Sequence, residues 1–275
     1  MLPETTPFRQ DVDEATKLLG ENGWIFEECA VVDAEGVPRW GLCFAQPARV
    51  RVLKSRGYLT QFDSTHKMNA WGHSTYSFLV RDEHGIWIPG AHCVVEGESP
   101  EVLAHAMKVF RQWCDWTPHY VLTGDGAVEQ LAVGRAFPSG EQEVSHILCT
   151  AHIMRTLNKR FKSDVDRPIF NVLQHALYAS TRRKCIEFCA EAIFLARDEE
   201  TKAYIRTCWL DTSHKWAMYA RGHSPLLQQV TSTNAADVWH RQLKAGGGPR
   251  KEDASNHSEY CFPASCIPPT VVRYP

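Results

Sequence analysis

The chain has 275 residues, of which 44% are hydrophobic, and its formal net charge at pH 7 is −2. This length and apolar fraction are enough for one large or two small folded domains, and the charge excludes a generally basic nucleic-acid binder. No apolar run reaches the roughly 18 residues of a membrane span, and the first six residues lack the regions of a signal peptide. We therefore expect an intracellular protein with no membrane partner, whose ten cysteines are mostly reduced.

The N-terminal segment, residues 1–56, is expected to contain helices and one hairpin. A short helix is predicted near Asp11–Leu19, and a second helix at Pro47–Lys54. Between them, the strand candidates Trp24–Val32 and Arg39–Phe44 flank the turn sequence Asp33-Ala34-Glu35-Gly36. This arrangement is typical of a β-hairpin.

The next segment alternates strands and helices. Three strand candidates, Tyr58–Asp63, His73–Arg81 and Ile86–Val95, predict an antiparallel meander, in which Pro89-Gly90 indicates a bulge or an edge position. Ser99-Pro100 is typical of a helix start, and apolar residues follow at helical spacing as far as Cys114. The short apolar strand Tyr120–Leu122 can then return parallel to the first strand of the meander.

The remainder of the chain is predicted to be helical. One helix follows Asp125 and carries Val128, Leu131, Ala132 and Arg135, and beyond Glu143 we expect helices as far as about residue 221. There Trp209, Trp216 and Tyr219 have the spacing of a helical core rather than of a base-stacking surface. Gly246-Gly247-Gly248-Pro249 is expected to close the last helix, and residues 246–275 are expected to be a flexible tail in which Cys261 and Cys266 complete no zinc finger.

Three carboxylates stand where chain elements begin or end. Asp63 ends an apolar strand, Asp125 follows a second apolar strand and opens a helix, and Asp237 opens a helix far downstream. Carboxylates delivered in this way can hold two Mg²⁺ or Mn²⁺ ions, because these hard ions prefer oxygen ligands. Each also has an ordinary interpretation, Asp63 in a turn, Asp125 as a helix N-cap, and Asp237 in a first helical turn capped by Asn234.

Two further sets of residues could bind a metal or DNA. Cys149 and His152 are three apart and could bind zinc together with a second pair such as Cys185 and Cys189. Alternatively, Cys149 packs in the core and His152 makes a hydrogen bond near the carboxylates. Two basic clusters could contact DNA or could be solvated helix faces: Arg155, Lys159, Arg160 and Lys162, and Arg182, Arg183 and Lys184.

Several segments, taken in order, resemble the catalytic domain of Mutator-like element (MULE) transposases, fungal type, over roughly residues 40–245. The segments that carry the resemblance are Asp63-Ser64-Thr65-His66-Lys67, Trp87-Ile88-Pro89-Gly90-Ala91-His92, Ala127–Pro138, Cys149-Thr150-Ala151-His152, and Thr233–Lys244. The resemblance implies an α/β fold of the ribonuclease-H-like type, a mixed sheet with a three-strand antiparallel meander plus parallel strands. It also implies a ribonuclease-H-like domain over residues 57–245, with a long all-helical insertion at about 153–230 before the third acid.

The resemblance also implies a function. Asp63, Asp125 and Asp237 would be the catalytic metal ligands of a DNA transposase that cuts at transposon ends and joins them to target DNA in the nucleus, as a monomer or a homo-oligomer. Two positions depart from the family pattern, because the second acid is expected at Gly124 rather than Asp125, and the third acid is usually Glu. The zinc-type DNA-binding modules expected around this domain do not occur, so we expect a truncated catalytic domain. The alternative is a non-catalytic derivative that binds DNA or protein.

Overall fold

A computed structural model describes residues 6–138 and 144–245. The predicted tail at 246–275, with its closing Gly246-Gly247-Gly248-Pro249, Cys261 and Cys266, lies outside the described residues. The chain divides into two compact units. The first contains the described residues up to 121, those of 126–144, and 234–245, and the second contains 122–125 and 145–233.

The first unit opens with a helix and a hairpin, as predicted. Helix α1 spans Pro7–Glu21, and strands β1 (Ile25–Val32) and β2 (Pro38–Ala45) pair antiparallel. The Asp33 side chain closes the turn between the strands by accepting the backbone N–H groups of Glu35 and Val37, at 3.0 and 2.8 Å. This Asx geometry explains why the turn sequence is a reliable signal.

The predicted meander is also confirmed. After α2 (Pro47–Arg56) come β3 (Leu59–Thr65), β4 (Ser74–Arg81) and β5 (Trp87–Val95), and β4 pairs antiparallel with both β3 and β5. Phe78 lies opposite Ala91 and Leu79 opposite Pro89, so Gly90 is the extra residue of a bulge. The edge alternative for β5 is wrong, because β5 is hydrogen-bonded to β2 on one side and β4 on the other.

A helical crossover then returns the chain to the meander. Helix α3 (Pro100–Cys114) leads to β6 (Tyr120–Thr123), and α4 (Ala127–Ala136) follows. The Tyr58 carbonyl, at the start of β3, accepts the N–H groups of His119 and Tyr120 at 2.9 Å each. The two strands therefore start at the same end of the sheet and run parallel, as the sequence predicted.

Strand β6 is followed in the sheet by a strand that the sequence analysis did not predict. In the described residues the sheet has seven strands in the order β1-β2-β5-β4-β3-β6-β7, where β7 is Ser145–Leu148. The prediction of helix alone beyond Glu143 was wrong here, because a four-residue strand with a polar half carries no alternating pattern. His146 in β7 bonds Thr123 Oγ1 at 2.8 Å, and burial lowers its pKa to about 3.

The two faces of the first unit's part of the sheet carry different cores. The face toward α2, α3 and α4 holds the aromatic cluster of Phe62, Phe78, Phe110 and Trp116. The opposite face holds Leu42, Phe44 and Met68, together with residues of α1 and of the last described helix, α11 (Asn234–Lys244). Since both faces are covered, side chains on the central strands are buried whichever way they point.

The rest of the second unit is helical, as expected for the insertion before the third acid. Its helices are α5 (Thr150–Arg160), α6 (Arg167–Leu177), α7 (Arg182–Leu195), α8 (Glu199–Tyr204), α9 (Ser213–Trp216) and α10 (Pro225–Gln229), with a π-helical turn at Ile205–Leu210 and a 3₁₀ turn at Met218–Arg221. Trp209 and Trp216 pack edge to face in its core, which confirms the core interpretation. Within the described ranges, no helix combines the length and apolar character needed to cross a membrane.

Replacing Phe78 by Ala should test the aromatic cluster. Phe78 is fully buried, with ring centroids of Phe62 and Phe110 at 4.7 and 5.0 Å. We expect Phe78→Ala to lower the free energy of unfolding by about 3 to 5 kcal/mol, because it removes the ring and leaves a cavity. Urea denaturation measures this loss. Phe194→Ala is the matched control, since Phe194 is 86% exposed, and it should change stability by less than about 0.5 kcal/mol.

Candidate functional site

The first predicted acid, Asp63, lies inside β3. Its side chain is buried, at 6% exposure, and one carboxylate oxygen accepts the backbone N–H of Ser64 at 2.8 Å. The alternative interpretation of Asp63 as a turn residue is wrong, because β3 continues as far as Thr65. A buried carboxylate at this position is costly unless it is held by hydrogen bonds or by a cation.

A row of polar side chains crosses the sheet beside Asp63. Asp63 is directly opposite Ser77 on β4, and Ser77 is directly opposite His92 on β5. Residues that face each other across antiparallel strands point to the same side of the sheet. Ser77 Oγ bonds His92 Nδ1 at 3.0 Å, so the row is connected between these two strands.

Helix α11 covers this row and carries the third predicted acid. It packs against β3 and β4. The ring of Trp239 on α11 stacks on the ring of His92, with the centroids 5.9 Å apart, and the ring of Phe44 also stacks on His92, with the centroids 5.2 Å apart. Asp237 lies in the first turn of α11, and α11 begins at Asn234. The first unit therefore brings Asp63 and Asp237 onto neighbouring elements.

Two histidines are buried in this region, His92 on β5 and His240 on α11 itself. Burial, followed by the positive fields of His240 and Arg49, lowers the pKa of His92 to about 3. Burial and Lys244 lower the pKa of His240 to about 4, and within the described residues its Nε2 has no hydrogen-bond partner. Both rings are therefore neutral at pH 7. The sequence analysis quoted His92 within a motif but assigned it no role.

A second buried carboxylate in this unit, Glu129, was also missed. It is the third residue of α4, and its side chain lies back over Gly126, the N-cap. Glu129 is 7% exposed, and after burial its charge is the next cause that raises the pKa of Tyr76. The signal in the sequence was a Glu three residues into a helix, the position from which a side chain can cap the helix start.

In the second unit, Asp125 is held by a hydroxyl. Its carboxylate accepts a hydrogen bond from Thr156 of α5. The N-cap interpretation was wrong, because the N-cap of α4 is Gly126. Gly124, the position where the family pattern expects the second acid, has the His152 ring as its nearest neighbour, 3.7 Å from where a Cβ would lie.

The Cys149-x-x-His152 motif connects separate parts of the second unit. Cys149 is the N-cap of α5, and its backbone N–H donates to Thr123 O at 2.8 Å. Its thiol accepts the N–H of Thr233 at 3.3 Å, and Thr233 Oγ1 lies 3.4 Å from His152 Nδ1. The motif therefore fixes the chain directly before Gly124 and directly before α11.

The Cys149 thiol is buried and its pKa is perturbed. Burial raises the pKa of this thiol, but hydrogen bonds with His152 and Thr233 outweigh it, so the net pKa lies below its usual value. The suggested zinc partners Cys185 and Cys189 hydrogen-bond to each other within α7. Across residues 6–138 and 144–245, no group of three or more His, Cys, Asp or Glu side chains is arranged to hold a metal ion.

The chain resembles one characterised domain family. The model of the RNase H-like domain of zinc finger SWIM domain-containing proteins 1 and 3 matches residues 29–143, which include Asp63 and Asp125. With the mixed sheet described above, this match assigns the chain an RNase H-like fold. No curated protein matches the chain.

The buried histidines predict an acid-sensitive fold. His92 has a pKa of about 3 in the folded protein against 6.5 as its ordinary value, so the unfolded chain takes up the proton first. The contribution of His92 to the free energy of unfolding is therefore close to zero above pH 6.5. It becomes increasingly destabilising as the pH falls from 6.5 toward 3. At pH 5 this amounts to about 2 kcal/mol.

We expect His92→Gln to reduce the loss of unfolding free energy between pH 7 and pH 5 by about 2 kcal/mol, measured by urea denaturation at both values. His84→Gln is the matched control, since His84 lies in an exposed turn with its side chain 53% exposed. An equal loss in His92→Gln and wild type would contradict the assignment of His92 as a buried neutral ring.

Proposed function

We propose that this chain is an RNase H-like domain of MULE transposase descent that binds DNA and has lost metal-dependent strand cleavage. The observation that carries the loss is the second acidic position. Gly124 occupies it, and the neighbouring carboxylate of Asp125 is bonded to the Thr156 hydroxyl. Gly124 contributes no side-chain oxygen, and Asp125 stands one residue beyond the expected place, so the residues at this position do not fit the expected metal pair.

Descent from a transposase is supported by the arrangement of the other motif residues. Asp63 lies in β3, and α11 with Asp237 packs against that strand. The Cys149-x-x-His152 motif fixes the chain before Gly124 and before α11 through backbone hydrogen bonds. These contacts give the Cys149-x-x-His152 motif and α11 a structural role that does not need a bound metal, which is the condition for them to survive the loss of catalysis.

DNA binding is supported by the basic side of α5. Arg155 and Lys159 are exposed on one face of α5, and Lys162 follows directly after the helix. Exposed cations spaced along one helix can contact successive phosphates, although the net charge of the chain is close to zero. The cluster at Arg182, Arg183 and Lys184 is a weaker candidate, because Arg183 is already paired with Glu187 at 2.8 Å.

The second candidate is an active transposase that cleaves DNA with Mg²⁺ or Mn²⁺ held by Asp63, Asp125 and Asp237. The observation that favours it is the packing of α11 against β3, which places the first and third acids on adjacent elements. Coordination by Asp125 from one residue beyond the expected position would be the first requirement. Both candidates predict that the protein binds DNA, but only the second predicts that it cleaves DNA.

Charge reversal on α5 should weaken DNA binding. We expect the double variant Arg155→Glu, Lys159→Glu to bind a duplex about 10-fold or more weakly near 0.1 M salt, and to lower the salt-dependence slope by about 2. Fluorescence anisotropy over a salt series measures both. The matched control is Lys17→Glu, Arg51→Glu, an equal change of charge at exposed positions of the first unit.

The wild-type protein should not nick supercoiled plasmid in Mg²⁺ or Mn²⁺ at any of these salt concentrations. Metal-dependent nicking that disappears in Asp63→Ala would contradict the loss of catalysis and establish the second candidate. The proposal of a DNA-binding surface on α5 would be contradicted if the wild-type protein did not bind DNA. It would also be contradicted if the α5 variant and its control lost DNA affinity to the same extent.

Restoring an acid at Gly124 should restore metal binding. A Cβ at this position meets only the His152 ring, at ordinary contact distance, so Gly124→Asp can be accommodated. We expect this variant to bind Mn²⁺ more tightly than the wild type in calorimetry. Gly134→Asp is the matched control, because a Cβ there has open space and the residue lies on α4. Equal Mn²⁺ binding by both variants would contradict the assignment of Gly124 as the lost ligand position.

A further inference from the structure

A basic cavity opens to solvent between the C-terminal ends of α3 and α4, within the first unit. Lys108, Arg111 and Gln112 line it from one face of α3, and Arg135 lines it from the last turn of α4. The cavity has a volume of about 510 Å³. This volume lies within the range of small-molecule sites, so the cavity can hold a ligand and not only solvent.

The negative charge at this cavity is already neutralised. Among the described residues, the carboxylate that lines the cavity is that of Asp115, and Lys54 Nζ of α2 lies 3.0 Å from it. Arg135 is in turn paired with the carboxylate of Glu101 on α3. These two ion pairs leave the remaining cations of the wall to set its net charge, which is positive.

The remaining cations are Lys108 and Arg111, which form no ion pair within the described residues. The Arg111 guanidinium is held in place, because it donates to Ala136 O at 3.3 Å and lies over the Phe137 ring, 5.5 Å from its centroid. A cation in the last turn of a helix stabilises the helix dipole, which is an ordinary role for Arg111. Lys108 lies more than one turn before the end of α3, so the dipole does not explain it.

Neutral polar groups complete the wall. Gln112 and Thr117 line the cavity with an amide and a hydroxyl, and neither side chain is hydrogen-bonded within the described residues. Such groups can bond to hydroxyl or ester oxygens of a ligand and orient it beside the cations. A recess of this kind admits a small molecule and not a DNA duplex, whose phosphates lie on a convex surface and carry a single charge each.

We propose that this cavity binds a small organic phosphate monoester. Its two unpaired cations match the charge of a phosphate monoester, which is about −2 near pH 7. Arg111 supplies a planar fork of N–H donors and Lys108 a point charge, and both side-chain types bind phosphate oxygens. A phosphate group fills only part of the volume, and Ala136 and Pro138 give the organic part of the ligand an apolar wall.

Binding is measured on the full chain by calorimetry near pH 7, with probes that share one organic body. Phenyl phosphate is a dianion, methyl phenyl phosphate a monoanion, and phenol uncharged. We expect phenyl phosphate to bind about 10-fold or more tightly than the monoanion, because it makes charge-assisted hydrogen bonds to both cations. Equal binding of the dianion and the monoanion would overturn the proposal, and so would inorganic phosphate that binds as tightly as phenyl phosphate.

Two variants test the residues. Lys108→Gln removes one charge from an exposed position and should weaken binding of phenyl phosphate about 5-fold or more. Arg111→Lys keeps the charge but loses the planar fork, so it should also weaken binding. Lys17→Gln is the matched control, because Lys17 is 73% exposed on α1, and it should bind as the wild type does. Wild-type affinity in Lys108→Gln would overturn the proposal, even if Arg111→Lys failed to fold.

The DNA affinity of Lys108→Gln separates this cavity from the surface on α5. We expect the variant to bind duplex DNA as the wild type does while its affinity for phenyl phosphate falls. Loss of DNA affinity in Lys108→Gln, with no binding of phenyl phosphate by the wild type, would assign the cation to DNA and overturn the proposal. If the wild type binds phenyl phosphate but no DNA, the cavity is supported and only the surface on α5 is contradicted.

Discussion

Burial of the central strands on both faces is the constraint on which the candidate site depends. Strands β3, β4 and β5 lie in the middle of the sheet and are buried along almost their whole length. In a sheet that is covered on both faces, a polar side chain on a central strand cannot be hydrated by solvent. Each such side chain must therefore be hydrogen-bonded, paired with an opposite charge or uncharged. Ser77 and His92 are partners in one hydrogen bond, and burial lowers the pKa of the histidine so that its ring is neutral. Asp63 lies in the same row, and because it is a carboxylate its burial costs more free energy than the burial of Ser77 or neutral His92.

The helical unit meets a similar demand with backbone hydrogen bonds. The start of α5 makes hydrogen bonds to two separate stretches of chain, at Thr123 and at 231–233, through Cys149, Thr150 and His152. A thiol suits the N-cap position because it is small enough for a buried site and can accept the Thr233 N–H. Under the proposed loss of catalysis, the position therefore keeps a structural use, which is consistent with a recognisable Cys149-x-x-His152 motif beside Gly124.

Local sequence signals were sufficient where a single turn or cap decides the structure. The Asx turn at Asp33, the cap at Ser99 and the bulge at Gly90 each depend on a few consecutive residues, and each was predicted. β7 was missed because its four residues are specified by the neighbouring strand β6 and not by their own pattern. The bond between Asp125 and Thr156 was missed for the same reason, since 31 positions separate the two residues and no spacing rule relates them.

Buried ionisable groups were the hardest features to predict, because burial is a property of the whole fold. Nothing adjacent to His92 or Glu129 distinguishes them from solvated residues, yet one lies beneath α11 and the other lies back over the start of α4. A carboxylate can be buried beside a helix start since the free N–H groups there compensate its charge. Glu129 has this compensation from its own helix, whereas Asp63 lies inside β3, where the backbone N–H of Ser64 is one of its partners. Under the proposed descent from a transposase, the burial of Asp63 within a strand follows from its position as the first acid, because that position places a carboxylate in the sheet and not at a helix start.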